Sequence, residues 1–278
     1  MENKKLKILF LYPNLNMSTL VPNAISILSA TLKKAGFQNI DLFDTTFYQS
    51  DGLSKDQDRV KVGQVQPFNF DERNINLKTT DMYEDFKNKI NTFKPDIIFA
   101  SIVEDTFPIF INFMNSIKNK KIPCLAGGVF PSSAPERVLE LDFVDYVCRG
   151  EGEGALVDLA NALEYNKDSS KILNLWVKKN GKIVSKNPIR PALDVNNLPI
   201  QDLSIFEDIS LHRPMMGKIY RMAPVETQRG CPYSCRFCNS PEKNEFYQSQ
   251  KAGRFFRKRT MKHLHAEFKE IISTHGIE

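Results

Sequence analysis

Five short apolar runs recur between Leu6 and Cys148, and a helical pattern follows each of them. The runs are residues 6–12, 39–44, 95–103, 122–126 and 145–148, of a length and make-up that read as strands. After the first, Pro22 to Lys34 carries Ile25, Leu28 and Leu32 on one face. Asp81 opens the next long helix in a capping-box pattern with Glu84, and Met82, Phe86, Ile90 and Phe93 form its stripe. A helix after Thr106 turns Phe110, Phe113 or Met114, and Ile117 inward; Ser133 reads as the cap of another, and a last one runs to Leu163. This alternation predicts an α/β fold over residues 1–165, with a Rossmann-like, flavodoxin-like five-stranded parallel sheet covered by helices on both faces. Residues 47–80 are polar and irregular and read as a long loop or insertion.

Open parallel sheets bind ligands outside the carboxyl ends of their strands. That rule selects the loops at residues 14–21, 104–107, 127–132 and 149–153. The turn Gly150-Glu-Gly-Glu-Gly154 superficially resembles a dinucleotide loop. Its glycine spacing is wrong and it follows the last strand of the sheet, so a nicotinamide cofactor is disfavoured.

Residues 166–204 read as a hairpin turning at Asn180-Gly181 and a proline-bearing linker. In residues 205–278, a strand over 221–226 is expected to deliver a Gly/Pro/Ser-rich loop, and Thr260 to cap a helix with Met261, Leu264, Phe268 and Ile271 inward. The loop holds Cys231, Cys235 and Cys238 in the pattern C-x3-C-x2-C. Soft thiolates in sets select iron–sulfur clusters or zinc. Three of them would leave one iron of a [4Fe–4S] cube without a protein ligand and open to a small molecule. Zinc with His263 or His265 is the competing reading, although structural zinc sites usually take their ligands in close pairs. Three thiols are an odd number for disulfides.

The five cysteines suit a reducing cytoplasm, and Cys124 and Cys148 read as core thiols. No apolar run approaches a membrane span and no signal-peptide pattern opens the chain. The net charge is +5, and residues 201–278 hold 13 Lys/Arg against 9 Asp/Glu. The run from Arg254 to Arg259 is basic with aromatics beside it, but a short run of this kind reads better as a solvated edge near an anionic cofactor than as a nucleic-acid site.

The cysteine loop, with Phe237 before its last cysteine and Arg229-Gly230-Cys231-Pro232 at its start, resembles the cobalamin-dependent branch of the radical S-adenosylmethionine (SAM) family. Residues 126–153 resemble the corresponding part of those enzymes, and Ser101 with Gly127-Gly128 is similar to a cobalamin-binding domain. The resemblance implies a [4Fe–4S] cluster on Cys231, Cys235 and Cys238, SAM on its open iron near Phe237 and Tyr233, and cleavage of SAM to a 5′-deoxyadenosyl radical. It implies cobalamin between the two parts of the chain. The contacts would come from Asn14, Asn16, Met17, Ser101, Glu104, Asp105, Gly127, Gly128, Val129, Phe130, Arg149, Gly150, Glu151 and Gly152. Phe130 stands where histidine is frequent in the family. The D-x-H-x-x-G signature of cobalamin mutases is missing and the first histidine is His212, so the implied cobalamin has no histidine ligand from this domain.

The implied activity is methyl transfer, with oxidative ring closure or a non-catalytic cobalamin- and metal-binding module as alternatives. A flavodoxin or ferredoxin would donate electrons, and the substrate would be a small molecule or peptide. The resemblance also implies a partial (βα)6 radical SAM barrel, of which residues 205–278 hold only the first strand, loop and helix. The expectation is therefore a fragment of a longer enzyme, inactive by itself and prone to aggregate.

Overall fold

The computed structural model describes residues 4–15, 21–49 and 55–278. In chain order the elements are β1 (Ile8–Tyr12), α1 (Asn23–Lys34), β2 (Ile40–Asp44), α2 (Lys55–Lys61), α3 (Met82–Phe93), β3 (Ile97–Ser101), α4 (Phe107–Ser116) and β4 (Cys124–Gly127). They continue with α5 (Val129–Ser133), α6 (Pro135–Leu139), β5 (Tyr146–Cys148), α7 (Glu153–Glu164), β6 (Leu175–Lys179) and β7 (Lys182–Lys186). The last part holds β8 (His212–Met215), β9 (Lys218–Arg221), β10 (Gln228–Arg229), α8 (Ser240–Ser249), β11 (Arg257–Lys258) and α9 (Met261–His275).

One sheet runs in the order β2-β1-β3-β4-β5-β6-β7, with β1 to β5 parallel. Period-two alternation sorts the strand side chains between two cores. Ile8, Phe10, Ile97, Phe99 and Leu125 pack on the α1 and α7 face, while Leu9, Leu11, Ile98, Ala100 and Cys124 pack on the α3 and α4 face. Both faces are buried, which is why the strands read as continuous apolar runs. Each fully buried Ile, Leu or Phe contributes about 1.5–3 kcal/mol of transfer free energy.

The hairpin is not a separate piece. β6 adds antiparallel to β5 and β7 to β6, so the expected five-stranded sheet has seven strands. Both turn residues, Asn180 and Gly181, lie at positive φ, as their pairing suggests. The linker is also more than a spacer, because Ile189, Val195, Leu198 and Leu203 are buried along it. The 47–80 insertion brings Phe47 and Ile75 against Ile219 of β9.

Four local expectations change. Ser133 ends α5 and caps nothing; Ala134 precedes α6, whose first residue is Pro135. Residues 222–226 form no strand, because Pro224 lacks a donor and no strand among the described residues lies alongside. α8 follows the cysteine loop where no helix is expected. In α9, Leu264 and Ile271 are buried with Glu267 between them, whereas Met261 and Phe268 are exposed.

Candidate functional site

The sheet reverses its winding at β1, which has β2 on one side and β3 on the other, so a crevice opens at the carboxyl ends of β1 and β3. A cavity of about 470 Å³ lies along this edge on the α1 and α7 face. Its floor is apolar, made by Phe10, Leu28, Phe99, Leu125 and Leu156. Its rim on the sheet side is Ser101, Gly127 to Val129 and Gly150 to Glu153. Its far wall comes from the cysteine-bearing part: Glu226, Arg229, Gly230, Ser240, Lys243, Phe246, Tyr247 and Phe255.

Gly128 shapes the rim. It sits at φ 112°, ψ −168°, a region open essentially to glycine alone, and a Cβ there would lie 2.5 Å from the Ile102 carbonyl oxygen. The bare backbone lets a ligand approach β4 closely. Gly230 does the same for the cysteine loop, with φ 82° and a would-be Cβ 2.4 Å from the Phe255 carbonyl oxygen.

Of the residues implied by sequence, the structure gathers Ser101, Gly127, Gly128, Val129, Gly150, Glu151 and Gly152 around the cavity. Asn14 and Asp105 line a separate recess of about 100 Å³ that shares Ser101. The Asn14 side-chain amide donates to Thr46 Oγ1 at 2.8 Å. Glu104 is exposed away from the cavity. Phe130 is half-buried against Phe107, ring centres 4.7 Å apart, and does not line the cavity. The Arg149 guanidinium lies between Trp176 and Phe246, 4.9 and 4.4 Å from their ring centres, and its Nε donates to the Ser132 carbonyl. Arg149 therefore props α8 against β6 and does not line the cavity. Asn16 and Met17 lie outside the described residues.

Glu151 is spent on arginines. One carboxylate oxygen meets Arg229 Nη1 at 3.3 Å and also Arg257 Nη2; the other accepts from Arg257 Nη1 at 3.1 Å and Leu193 N at 3.1 Å. Arg229 also meets Glu153 at 2.6 Å and Glu226 at 2.9 Å. Glu153 begins α7, where the helix dipole favours its charge. Burial works against the Arg229 charge, but Glu153, Glu226 and Glu151 outweigh it and hold its pKa above the ordinary range. Cys148, on the cavity floor, is pushed up to about 12 by burial and stays a thiol.

Cys231 is half-buried while Cys235 and Cys238 are exposed, and Phe237 and Tyr233 project beside them at 94% and 72% exposure. The loop is tied by Cys238 N donating to the Cys235 carbonyl at 3.1 Å and Ser240 N donating to Cys238 Sγ at 3.4 Å. The donor chemistry fits a thiolate-held cluster, yet no group of three or more His, Cys, Asp or Glu among the described residues is placed to hold a metal. Metal-binding loops commonly take their ligating form only with the metal.

A family model described as the B12 binding domain matches residues 18–160. The chain belongs to the B12-binding domain family. In this B12-binding domain the apolar floor and the side-chain-free Gly127-Gly128 rim fit the nucleotide tail of cobalamin. The chain is 31% identical over 166 residues to an uncharacterised methyltransferase of Pyrococcus horikoshii, covering 57% of this chain and 34% of that one. It is 27% identical over 174 residues to the anaerobic magnesium-protoporphyrin IX monomethyl ester cyclase of Rubrivivax gelatinosus, covering 59% and 31%. Among solved structures, it resembles the radical SAM methyltransferase TsrM from Kitasatospora setae with cobalamin and a [4Fe–4S] cluster bound. The TM-score is 0.63 at 17% identity, covering 97% of this chain and 46% of TsrM. The fold of both parts is thus that of the matching portion of TsrM, and the chain spans about a third of the curated relatives' length.

Sequence reasoning missed Arg229, Glu226, Lys243, Phe246, Tyr247 and Phe255 as cavity residues, whereas Glu153 belongs to the 149–153 loop that the strand-end rule selects. The basic run was the available signal, but Arg257 and Arg259 are buried in ion pairs at 13% and 2% side-chain exposure, not part of a solvated edge.

Proposed function

We propose that this chain is the cobalamin-binding and cluster-holding portion of a cobalamin-dependent radical SAM enzyme, a methyltransferase by preference. The observation that carries the reading is the shared cavity, walled on one side by the B12-binding sheet edge and on the other by residues flanking the cysteine loop. Cys231, Cys235 and Cys238 would hold the cluster, with Phe237 and Tyr233 exposed beside it for the adenine of SAM. Ser101, Gly127, Gly128 and the 150–152 turn would seat cobalamin. No histidine lines the cavity among the described residues, so these residues would offer a bound cobalamin no histidine ligand.

When bound, the two cofactors supply radical generation and methyl transfer. The chain's own work is to hold them on facing walls and to keep water from the apolar floor. A flavodoxin or ferredoxin would donate electrons, in a cytoplasmic setting. No helix among the described residues is long and apolar enough to cross a membrane. The named cyclase relative keeps oxidative cyclisation as a second reading.

Anaerobic reconstitution with iron, sulfide and aquacobalamin tests the proposal. The expected product binds cobalamin and shows the broad absorbance of a [4Fe–4S] cluster, and Cys231→Ala, Cys235→Ala or Cys238→Ala each removes the cluster but not the cobalamin. Stoichiometric zinc without iron, or no cobalamin uptake, overturns it.

A further inference from the structure

We propose that Lys243 receives an anionic group, phosphate or carboxylate, of the ligand held in the cavity. The inference rests on the cobalamin and SAM reading above and assigns a specificity residue within it.

The argument is an inventory of charged donors. Among the described residues, five charged side chains line the cavity: Glu151, Glu153, Glu226, Arg229 and Lys243. Arg229 is committed through Nε and both Nη atoms to the three carboxylates. Arg257, just behind the wall, is committed to Glu151 and to the Leu193 and Phe255 carbonyls. The three glutamates carry one more charge than the two arginines, so an anion placed beside them would be repelled. Lys243 is different. It is half-buried at the fourth position of α8, and among the described residues its ammonium has neither an ion-pair partner nor a hydrogen-bond acceptor. The titratable neighbours acting on it are Cys238 of the cysteine loop and Glu242. Glu242 is exposed and adjacent on the helix, where neighbouring side chains do not face each other.

A half-desolvated ammonium with three uncommitted hydrogens strongly favours an anionic acceptor. Both implied ligands carry one: the phosphodiester of the cobalamin tail and the carboxylate of SAM. The position of Lys243 on the wall nearest the cysteine loop is compatible with either.

The test compares wild type, Lys243→Gln and Lys243→Arg in the full chain, reconstituted anaerobically. Affinities are measured for cobalamin, for cobinamide, which lacks the phosphate-bearing tail, for SAM and for decarboxylated SAM. Loss of one charge-assisted hydrogen bond predicts roughly ten- to hundredfold weaker binding in Lys243→Gln, with most affinity kept in Lys243→Arg. A loss for cobalamin but not cobinamide assigns the phosphate; a loss for SAM but not its decarboxylated form assigns the carboxylate. Unchanged affinity for both whole ligands, or equal loss for a ligand and its anion-free form, overturns the assignment. A wild-type chain that binds neither cofactor overturns the cobalamin reading itself.

Discussion

Arg229 and Arg257 stand directly opposite each other across the β10–β11 ribbon, and the carboxylate of Glu151 reaches in from the B12-binding domain to bind both. Like charges facing one another across a strand pair are destabilising. The Glu151 carboxylate offsets that repulsion, so docking on the sheet edge stabilises the ribbon that carries the cysteine loop. Glu151, implied by sequence as a cobalamin contact, is the clamp between the two parts.

Glu151→Gln keeps the shape of the side chain and leaves the two guanidiniums facing each other. Removing one partner of a buried pair costs about 3–5 kcal/mol, and the remaining partners Glu153 and Glu226 place this case near the lower end. Thermal denaturation should show a Tm lower by several degrees. Alkylation of the half-buried Cys231 should speed up as the ribbon loosens, with little change at exposed Cys235 and Cys238. An unchanged Cys231 rate would refute the clamp.

Gly128→Ala forces a Cβ to 2.5 Å from the Ile102 carbonyl oxygen at φ 112°. The backbone conformation alone costs about 1–3 kcal/mol in a non-glycine residue, and the clash adds to it. The β4–α5 turn, which forms part of the cavity rim, must shift to relieve it. Urea denaturation should show lower stability, and cobalamin affinity should fall further than it does for Gly63→Ala, whose Cβ would meet nothing within 4 Å.

The parallel strands were legible because burial on both faces writes itself into local composition, as in Ile97 to Ala100. The ligand edge followed from their polarity. What local sequence does not carry is the partner of a charge. Glu151 meets Arg257 across 106 residues and Arg229 meets Glu153 across 76. The same blindness explains α9: Glu267 is buried because Arg259 neutralises it, so the buried face is not the apolar stripe. α8 was missed because only Tyr247 of its residues is buried, and Ser-Pro-Glu-Lys-Asn reads as loop.

Asp44, at the carboxyl end of β2, has its Oδ2 buried without a hydrogen-bond partner among the described residues. Burial raises its pKa to about 6 from 3.8, with Glu207 adding to the rise against two hydrogen bonds from Thr46. The folded state thus holds this proton more tightly than the unfolded state. The stability it contributes is fully present below pH 3.8 and is lost as pH rises through about 6. Asp44→Asn should match wild type near pH 4 and exceed it at pH 7, by on the order of 1–2 kcal/mol given the side chain's partial exposure. Equal Tm values for the two proteins across that range would exclude the mechanism.

Arg259, between β11 and α9, and Glu267 of α9 form a nearly solvent-free ion pair, at 2% and 3% side-chain exposure. Arg259 also donates to the Glu226 carbonyl at 3.0 Å, linking the pair to the carboxylate that holds Arg229. Desolvating two charges consumes most of what their attraction returns, so the pair itself adds little net stability. Removing one member strands the other. Arg259→Met should cost about 3–5 kcal/mol, and the double change Arg259→Met with Glu267→Met should recover much of that loss. Chemical denaturation of Arg259→Met, Glu267→Met and the double variant decides it: a double variant as unstable as the sum of the singles would mean that the two residues act independently.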